Sequence, residues 1–342
     1  MRLRTCALSL LATLTFVMGA NAQGLEKPKI TMAIAGVKAQ IDYLVYDVAE
    51  ALGYFKEEGL EVDAPEVGSG VKAMQAVVGG SADVDAGSYE HTIQMQAKGQ
   101  SIQCVALYRQ AVGAAVGVGK GKIGSYKSPK DLKGMTIGVS SPGASSTSIF
   151  LNLVLAKAGL TPNDVSIVGV GNGSVAIAAI QSGKIDAIST VDPALTILTR
   201  SGDLKIVVDG RTEAGTNEYY GSKYASGCMM MKTDFIKNNP KTTQAVVNAT
   251  VRAILWIQSH SIDEVIKILP ENVTGADKET FREALKNSFF TVAPDGLVSR
   301  EETETVLKTV RSIDPVVAKA NIDLSKTYDN SFVEVALKKY RK

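Results

Sequence analysis

From Leu25 onward the chain alternates short β-like runs with helical patterns, and that alternation narrows its possible folds more than any other feature. Strands separated by helix-length segments pair in parallel, because only a long crossover returns the chain to the same sheet. An α/β fold is therefore expected. Residues 29–34 read as the first strand. Leu44, Val48 and Leu52 then recur every four residues beside Val45 and Ala49, an apolar helix stripe that stops near Gly53. Strands at 61–67 and 82–86 flank a helix opened by Ser69 and Gly70 and closed by Gly79 and Gly80, its apolar face being Val71, Met74, Val77 and Val78. A helix starting near Ser88 and a strand at 102–108 complete the series. The Gly-rich, uncharged stretch 111–119 reads as an extended connection leaving it.

A second series begins near Asp131. Strand 135–139, the turn Ser141-Pro142-Gly143 and helix 145–158 run to Gly159 as a stop. Strand 165–170, a helix begun by Ser174, strand 185–190, a helix with Asp192 as N-cap and Pro193 at its first position, and strand 204–209 follow. Gly80-Ser81-Ala82-Asp83-Val84 in the first series is echoed by Gly183-Lys184-Ile185-Asp186-Ala187 in the second, each a Gly stop leading through an apolar-Asp step into a strand. Two lobes of similar plan are implied. A chain of 342 residues is also longer than one core readily serves. The Met-rich run 227–233 reads as a strand returning to the first lobe, and the remainder as helical, with Val246, Ala249, Ala253, Leu255 and Trp256 on a buried side. Residues 25–113 with 227–342 then form one lobe and residues 114–226 the other, joined by a two-strand hinge.

Residues 1–22 read differently. Arg2 and Arg4 form a positive start, 8–18 is an apolar run too short to span a bilayer, and Ala20-Asn21-Ala22 places small residues where a signal peptidase reads. Cleavage after Ala22 and export to the periplasm are expected. Removing that segment lowers Lys+Arg from 37 to 35, equal to the 35 Asp+Glu, so the mature chain carries no net charge. A neutral chain argues against nucleic acid or an anionic membrane surface as partner. Cys6 precedes the apolar run, so a lipid-anchored mature Cys is not supported, and no later stretch approaches 18 apolar residues. A monomer without direct membrane insertion is expected. Cys104 and Cys228 survive cleavage; they could pair in an oxidising compartment, or behave as two buried thiols, which is the blander reading.

In doubly wound lobes ligands bind beyond the carboxyl ends of the strands, where loops feed helix N-termini. Here Ser69 and Gly70, Ser88, Ser145, Ser146 and Thr147, and Gly173 with Ser174 put small or hydroxyl-bearing residues at helix starts, where free N–H groups favour an anion. One cap needs one hydroxyl, and the run Ser145-Ser146-Thr147-Ser148 supplies more than a cap can use. Gln40 and Tyr43 follow the first strand and offer an amide and an aromatic face; Tyr89 and His91 lie just past the third, His91 reading as surface or structural. Asp192 reads as an N-cap or as an acceptor for a ligand ammonium or hydroxyl. With His91 and His260 the only histidines, a His-based metal cluster is excluded and no cofactor is expected.

Enzymatic motifs are mostly absent. The third Gly of Gly169-Val170-Gly171-Asn172-Gly173 comes one residue early for a dinucleotide fingerprint, residues 117–122 lack P-loop spacing, and no Gly-x-Ser-x-Gly elbow occurs. The chain is therefore read as a non-enzyme.

Residues 49–62 (AEALGYFKEEGLEV), 76–99, 131–160 (DLKGMTIGVSSPGASSTSIFLNLVLAKAGL) and 176–193 (AIAAIQSGKIDAISTVDP) resemble the periplasmic substrate-binding proteins of ABC importers, in the branch that handles nitrate, sulfonates, taurine and thiamine-pyrimidine precursors. The resemblance implies the type II periplasmic binding protein fold, two lobes closing on a small anionic ligand, and an ABC permease as partner. Pocket positions of the family fall on Gln40, Tyr43, Ser69, Gly70, Ser88, Tyr89, Ser145, Ser146, Thr147, Asn172, Gly173 and Ser174. The acid of the family's Glu-Pro step is here the shorter Asp192, and the cysteine cluster of the pyrimidine-synthase relatives is missing. A solute-binding role is thus favoured over an enzyme of the same fold acting on a pyrimidine-like heterocycle.

Overall fold

The computed structural model describes residues 24–341 apart from Lys38 and Ala144; the segment 1–22, read above as an export signal, lies outside the described residues. Among the described residues ten strands form two five-stranded sheets. The first holds β1 (Lys29–Ile34), β2 (Glu61–Asp63), β3 (Val84–Ser88), β4 (Ile102–Leu107) and β10 (Gly227–Lys232), in the order β2-β1-β3-β10-β4. The second holds β5 (Ala115–Gly119), β6 (Thr136–Val139), β7 (Ser166–Gly169), β8 (Ala187–Thr190) and β9 (Leu204–Asp209), in the order β7-β6-β8-β5-β9. The two orders are the same plan. In each, three strands pair in parallel and one antiparallel strand, β10 or β5, separates the third from the fourth.

That inserted strand reaches its sheet by a crossing. β5 follows β4 of the first sheet into the second, and β10 follows the second sheet back into the first. The stretch read as a connection, 111–119, is thus half connection and half sheet. All five residues of β5 are buried, so the lack of charge reflects a strand covered on both faces and not an exposed linker. Its glycines permit tight packing: a Cβ on Gly117 would lie 2.4 Å from the Leu204 side chain.

The five-residue echo corresponds to a repeated hydrogen-bond pattern. Thr31 N donates to Asp83 Oδ2 (3.0 Å) while Asp83 N donates to the Thr31 carbonyl (2.8 Å). Thr136 N and Asp186 repeat both bonds at 2.9 and 2.8 Å. Each aspartate thereby ties the entrance of the third strand of its series to the first.

Several local expectations change. The second strand stops at Asp63, because Pro65 has no N–H to continue the ladder and only a single bridge at Glu66 follows. In the long helix Pro240–Ser259 the buried stripe runs through Val246, Thr250, Ile254 and Ile257, leaving Leu255 and Trp256 partly exposed. Cys104 on β4 and Cys228 on the adjacent β10 form a disulfide with Cα atoms 5.8 Å apart, correcting the reading of two free thiols. Neighbouring strands bring Cα atoms within the range a disulfide spans. Helix Ala194–Arg200 begins one residue later than expected, with Pro193 at its N-cap; Asp192 still caps it through Oδ1, which accepts from Thr196 N at 3.0 Å and Thr196 Oγ1 at 2.7 Å.

Candidate functional site

The strand ends of both sheets converge on a cavity of about 40 Å³. Ala35 follows β1, Gly87 and Ser88 end β3, Tyr108 and Arg109 follow β4, Ser140 follows β6 and Val191 follows β8, and all of them line it. Carboxyl ends of parallel strands collect there because each is followed by a loop into a helix start.

Of the residues expected from the sequence, Gln40, Tyr43, Gly70, Ser88, Ser145, Ser146, Thr147 and Asn172 line this cavity. Ser69, Tyr89, Gly173, Ser174 and Asp192 do not. Ser69 caps its helix through Oγ, which accepts from Lys72 N at 3.4 Å. Tyr89 is fully buried, with its hydroxyl 2.5 Å from Thr327 Oγ1. Gly173 is the N-cap of helix Ser174–Gln181, and Ser174 is exposed.

The hydroxyl run divides by role. Ser145 is the N-cap of helix Ser146–Lys157: its Oγ accepts from Ser148 N (3.3 Å) and donates to the Ser141 carbonyl (2.5 Å). Thr147 Oγ1 accepts from Ser140 N at 3.0 Å and lies 2.9 Å from Ser140 Oγ; Ser148 Oγ accepts from Gly143 N at 3.2 Å. Three hydroxyls therefore hold the β6 loop in shape, and of the run only Ser146, which also lines the cavity, has no such bond among the described residues. The first-turn N–H groups of Ser146 and Thr147 have no acceptor within their own helix, as in any helix start.

Sequence reasoning missed the charged floor. Arg109 lines the cavity while buried, and its Nη1 lies 2.7 Å from Asp42 Oδ2. Its Nη2 also donates to the Val112 carbonyl. Its position was available as a signal, since it is the charged residue at the carboxyl end of an apolar strand. Burial holds the Asp42 carboxyl above its usual value, with Arg109 opposing the rise and Asp192 adding to it. His91 also lines the cavity, with Nδ1 3.8 Å from the buried Asp85 Oδ2; burial raises Asp85 in the same sense, against the pull of His91. Tyr43 and Tyr108 are pushed well above the tyrosine range by burial, so both hydroxyls stay protonated. The Asp42–Arg109 pair balances its own charge.

Contacts also cross the boundary between the sheets. Asn172 Nδ2 donates to the Gly68 carbonyl at 3.3 Å, and Ile41 N to the Asp192 carbonyl at 3.4 Å. Asp192 itself is buried behind the cavity, where Oδ2 accepts from Arg211 Nη1 (2.9 Å) and Ser288 Oγ (2.8 Å). Its carboxylate is committed within the protein. Among the described residues no group of three His, Cys, Asp or Glu could hold a metal ion, and no helix is long and apolar enough to cross a membrane.

Comparison with known proteins adds three relatives and one family. The NMT1/THI5-like family model matches residues 40–261. A solved structure from Bordetella bronchiseptica RB50 is 43% identical, covers 94% of this chain and 100% of its own, and has a TM-score of 0.88. A Bacillus subtilis (strain 168) relative named for binding aliphatic sulfonates is 24% identical over 94% of this chain and 93% of its own. The alkanesulfonate-binding protein SsuA from Xanthomonas axonopodis pv. citri, solved with MOPS bound, shares the fold with a TM-score of 0.72 at 17% identity, over 89% of this chain and 99% of its own.

Proposed function

This chain belongs to the NMT1/THI5-like family and has the periplasmic binding protein fold, and from that premise we propose that it is the solute-binding component of an ABC importer for a small anion. Sulfonates, taurine, nitrate and small organic acids are the candidates. In this reading residues 25–113 and 227–342 form one lobe, residues 114–226 the other, and the crossings before β5 and before β10 are the hinge. The exported protein, freed of residues 1–22, would work in the periplasm and present its closed form to the permease.

The observation that carries the reading is the composition of one cavity. The first turn of helix Ser146–Lys157 from one lobe faces Arg109 and Gln40 of the other. A helix start and a guanidinium together suit an anion, and Asp42, the carboxylate that lines the same cavity, is already engaged by Arg109. Because the helix start and the guanidinium come from different lobes, a ligand held by both favours closure. Ser146, Thr147, Gln40, Tyr43, Gly70, Ser88 and Asn172 are the proposed contacts, with Arg109 and His91 added to them.

Thermal unfolding of the purified protein with methanesulfonate, nitrate, acetate, glycerol and tetramethylammonium tests the class. A ligand present at a hundred times its Kd adds about 2.7 kcal/mol of stability. Stabilisation by at least one anion, and none by glycerol or tetramethylammonium, is the expected result. Stabilisation by the neutral or cationic solutes alone would overturn it.

A further inference from the structure

The glycine-rich run 169–173, which fits no dinucleotide fingerprint, ends at the cavity. β7 finishes at Gly169 and the next helix is Ser174–Gln181, so residues 170–173 are the loop between them. Asn172 lines the cavity, and Gly173 follows it as the N-cap of that helix. Asn172-Gly173 is also the one step in the chain where a glycine follows an asparagine. The loop needs that glycine: its φ is 62°, and a Cβ there would lie 3.2 Å from Val37 Cγ2.

The pairing has a chemistry of its own. Asparagine is among the thermolabile side chains, because its amide carbon is open to attack by the main-chain nitrogen of the next residue. A side chain on that next residue shields the nitrogen, and glycine has none. Here the nitrogen is also uncommitted, since Gly173 N donates to no acceptor among the described residues. The amide is restrained by one bond. Asn172 Nδ2 donates to the Gly68 carbonyl at 3.3 Å, from the loop after β7 of the second sheet to the loop after β2 of the first. That restraint lasts as long as the two loops lie together.

We propose that Asn172 is a self-modification site whose conversion switches the cavity off. Gly173 N gives up its proton to water and bonds to Asn172 Cγ; the Cγ–Nδ2 bond breaks, Nδ2 leaves as ammonia, and a cyclic imide closes. Water then opens the imide at either carbonyl and leaves aspartate or isoaspartate, so the net exchange is amide and water for carboxylic acid and ammonia. An ordinary carboxyl is ionised at neutral pH. The donor to Gly68 thereby becomes an acceptor, and two oxygens face each other where a hydrogen bond had been. A new carboxylate also joins a cavity in which Asp42 already engages Arg109. Both changes disfavour a shut cavity holding an anion, a consequence that rests on the anion reading above. A bound anion that keeps the loops together slows the conversion in turn.

The test incubates the protein freed of residues 1–22 at mildly alkaline pH, with and without methanesulfonate or nitrate, for the time in which a free peptide of residues 166–178 converts fully. Peptide mass spectrometry and calorimetry follow it. Expected is replacement of NH2 by OH, with isoaspartate, at Asn172 ahead of Asn287 and Asn330, the asparagines followed by serine. An anion at a hundred times its Kd should slow the conversion at least about tenfold, and the converted protein should bind that anion at least about tenfold more weakly. Asn172→Gln, whose extra methylene disfavours the ring, should keep its starting affinity through the same incubation. An intact Asn172, or conversion that leaves affinity unchanged, overturns the proposal and leaves the anion reading standing. Fresh protein that binds neither probe counts against the anion reading, and the mass change at Asn172 then decides the modification by itself.

Discussion

Ser288 donates a hydrogen bond from Oγ to Asp192 Oδ2 at 2.8 Å, joining residues 96 apart in the chain. The same carboxylate holds Arg211 and caps the helix that follows it, so the acid of the Asp-Pro step ties three segments together.

Replacing Ser288 with Ala should therefore open the protein without unfolding it. A hydrogen bond to a charged group is worth about 1.5–3 kcal/mol, and in the open form water can take the place of the serine. Small-angle scattering of the ligand-free variant should show a larger radius of gyration than the parent, and anion affinity should fall about tenfold. An unchanged radius would reduce this contact to packing.

Arg109→Gln should weaken anion binding more than tenfold and also lower the melting temperature, because the largely buried Asp42 would be left without its cation at a cost of up to about 3 kcal/mol. Arg109→Gln combined with Asp42→Asn should recover the melting temperature but not the affinity. Recovery of both in the double variant would mean that the arginine serves the fold alone.

The two serines at the start of helix Ser146–Lys157 should separate. Ser145→Ala removes a cap and should cost about 1 kcal/mol of stability with affinity nearly unchanged. Ser146→Leu should leave the unfolding transition in place and abolish anion binding by filling the cavity. Similar affinity losses in both would argue that loop shape, rather than the Ser146 position, governs the site.

Glu90 is fully buried, and burial raises its carboxyl above the usual 4.5, with His91 and then Arg109 pulling it back down. The folded state thus binds this proton more tightly than the unfolded chain. Its contribution to stability is greatest below about pH 4.5 and is lost as pH rises through the folded value. Glu90→Gln should accordingly raise the melting temperature at pH 7, with the gain shrinking toward pH 4. A variant no more stable than the parent at pH 7 would show the charge to be fully compensated by its neighbours.

The Cys104–Cys228 bond closes a separation of 124 residues, a long loop whose closure limits the unfolded chain by up to about 5 kcal/mol. Urea unfolding of the Cys104→Ala, Cys228→Ala double variant should show a loss approaching that figure, with ligand affinity retained. Equal stability of variant and parent would mean that the thiols are reduced in the purified protein.

Sequence and structure agree most closely where the signal is local. Lys29–Ile34, Leu204–Asp209 and the helices opened by Gly70 and Ser174 were legible because periodicity, caps and Gly stops act over a few residues. Residues 111–119 misled for an equally local reason, since a glycine-rich strand buried on both faces has the composition of a linker. Tyr89 misled differently: it follows a strand end, as a ligand residue should, yet its side chain turns to Thr327 in the core.

By itself the sequence determined the α/β alternation, the doubling of the plan through Asp83 and Asp186, and the placing of hydroxyls at helix starts, all of which depend on near neighbours along the chain. Only the tertiary structure decided which of those hydroxyls line the cavity, that Arg109 meets Asp42, that Cys104 meets Cys228, and that Asp192 is spent on Arg211 and Ser288. The physical reason is that a polar or sulfur atom's role is set by the partner it meets in space. Those partners come from distant segments that only the packed sheets bring together.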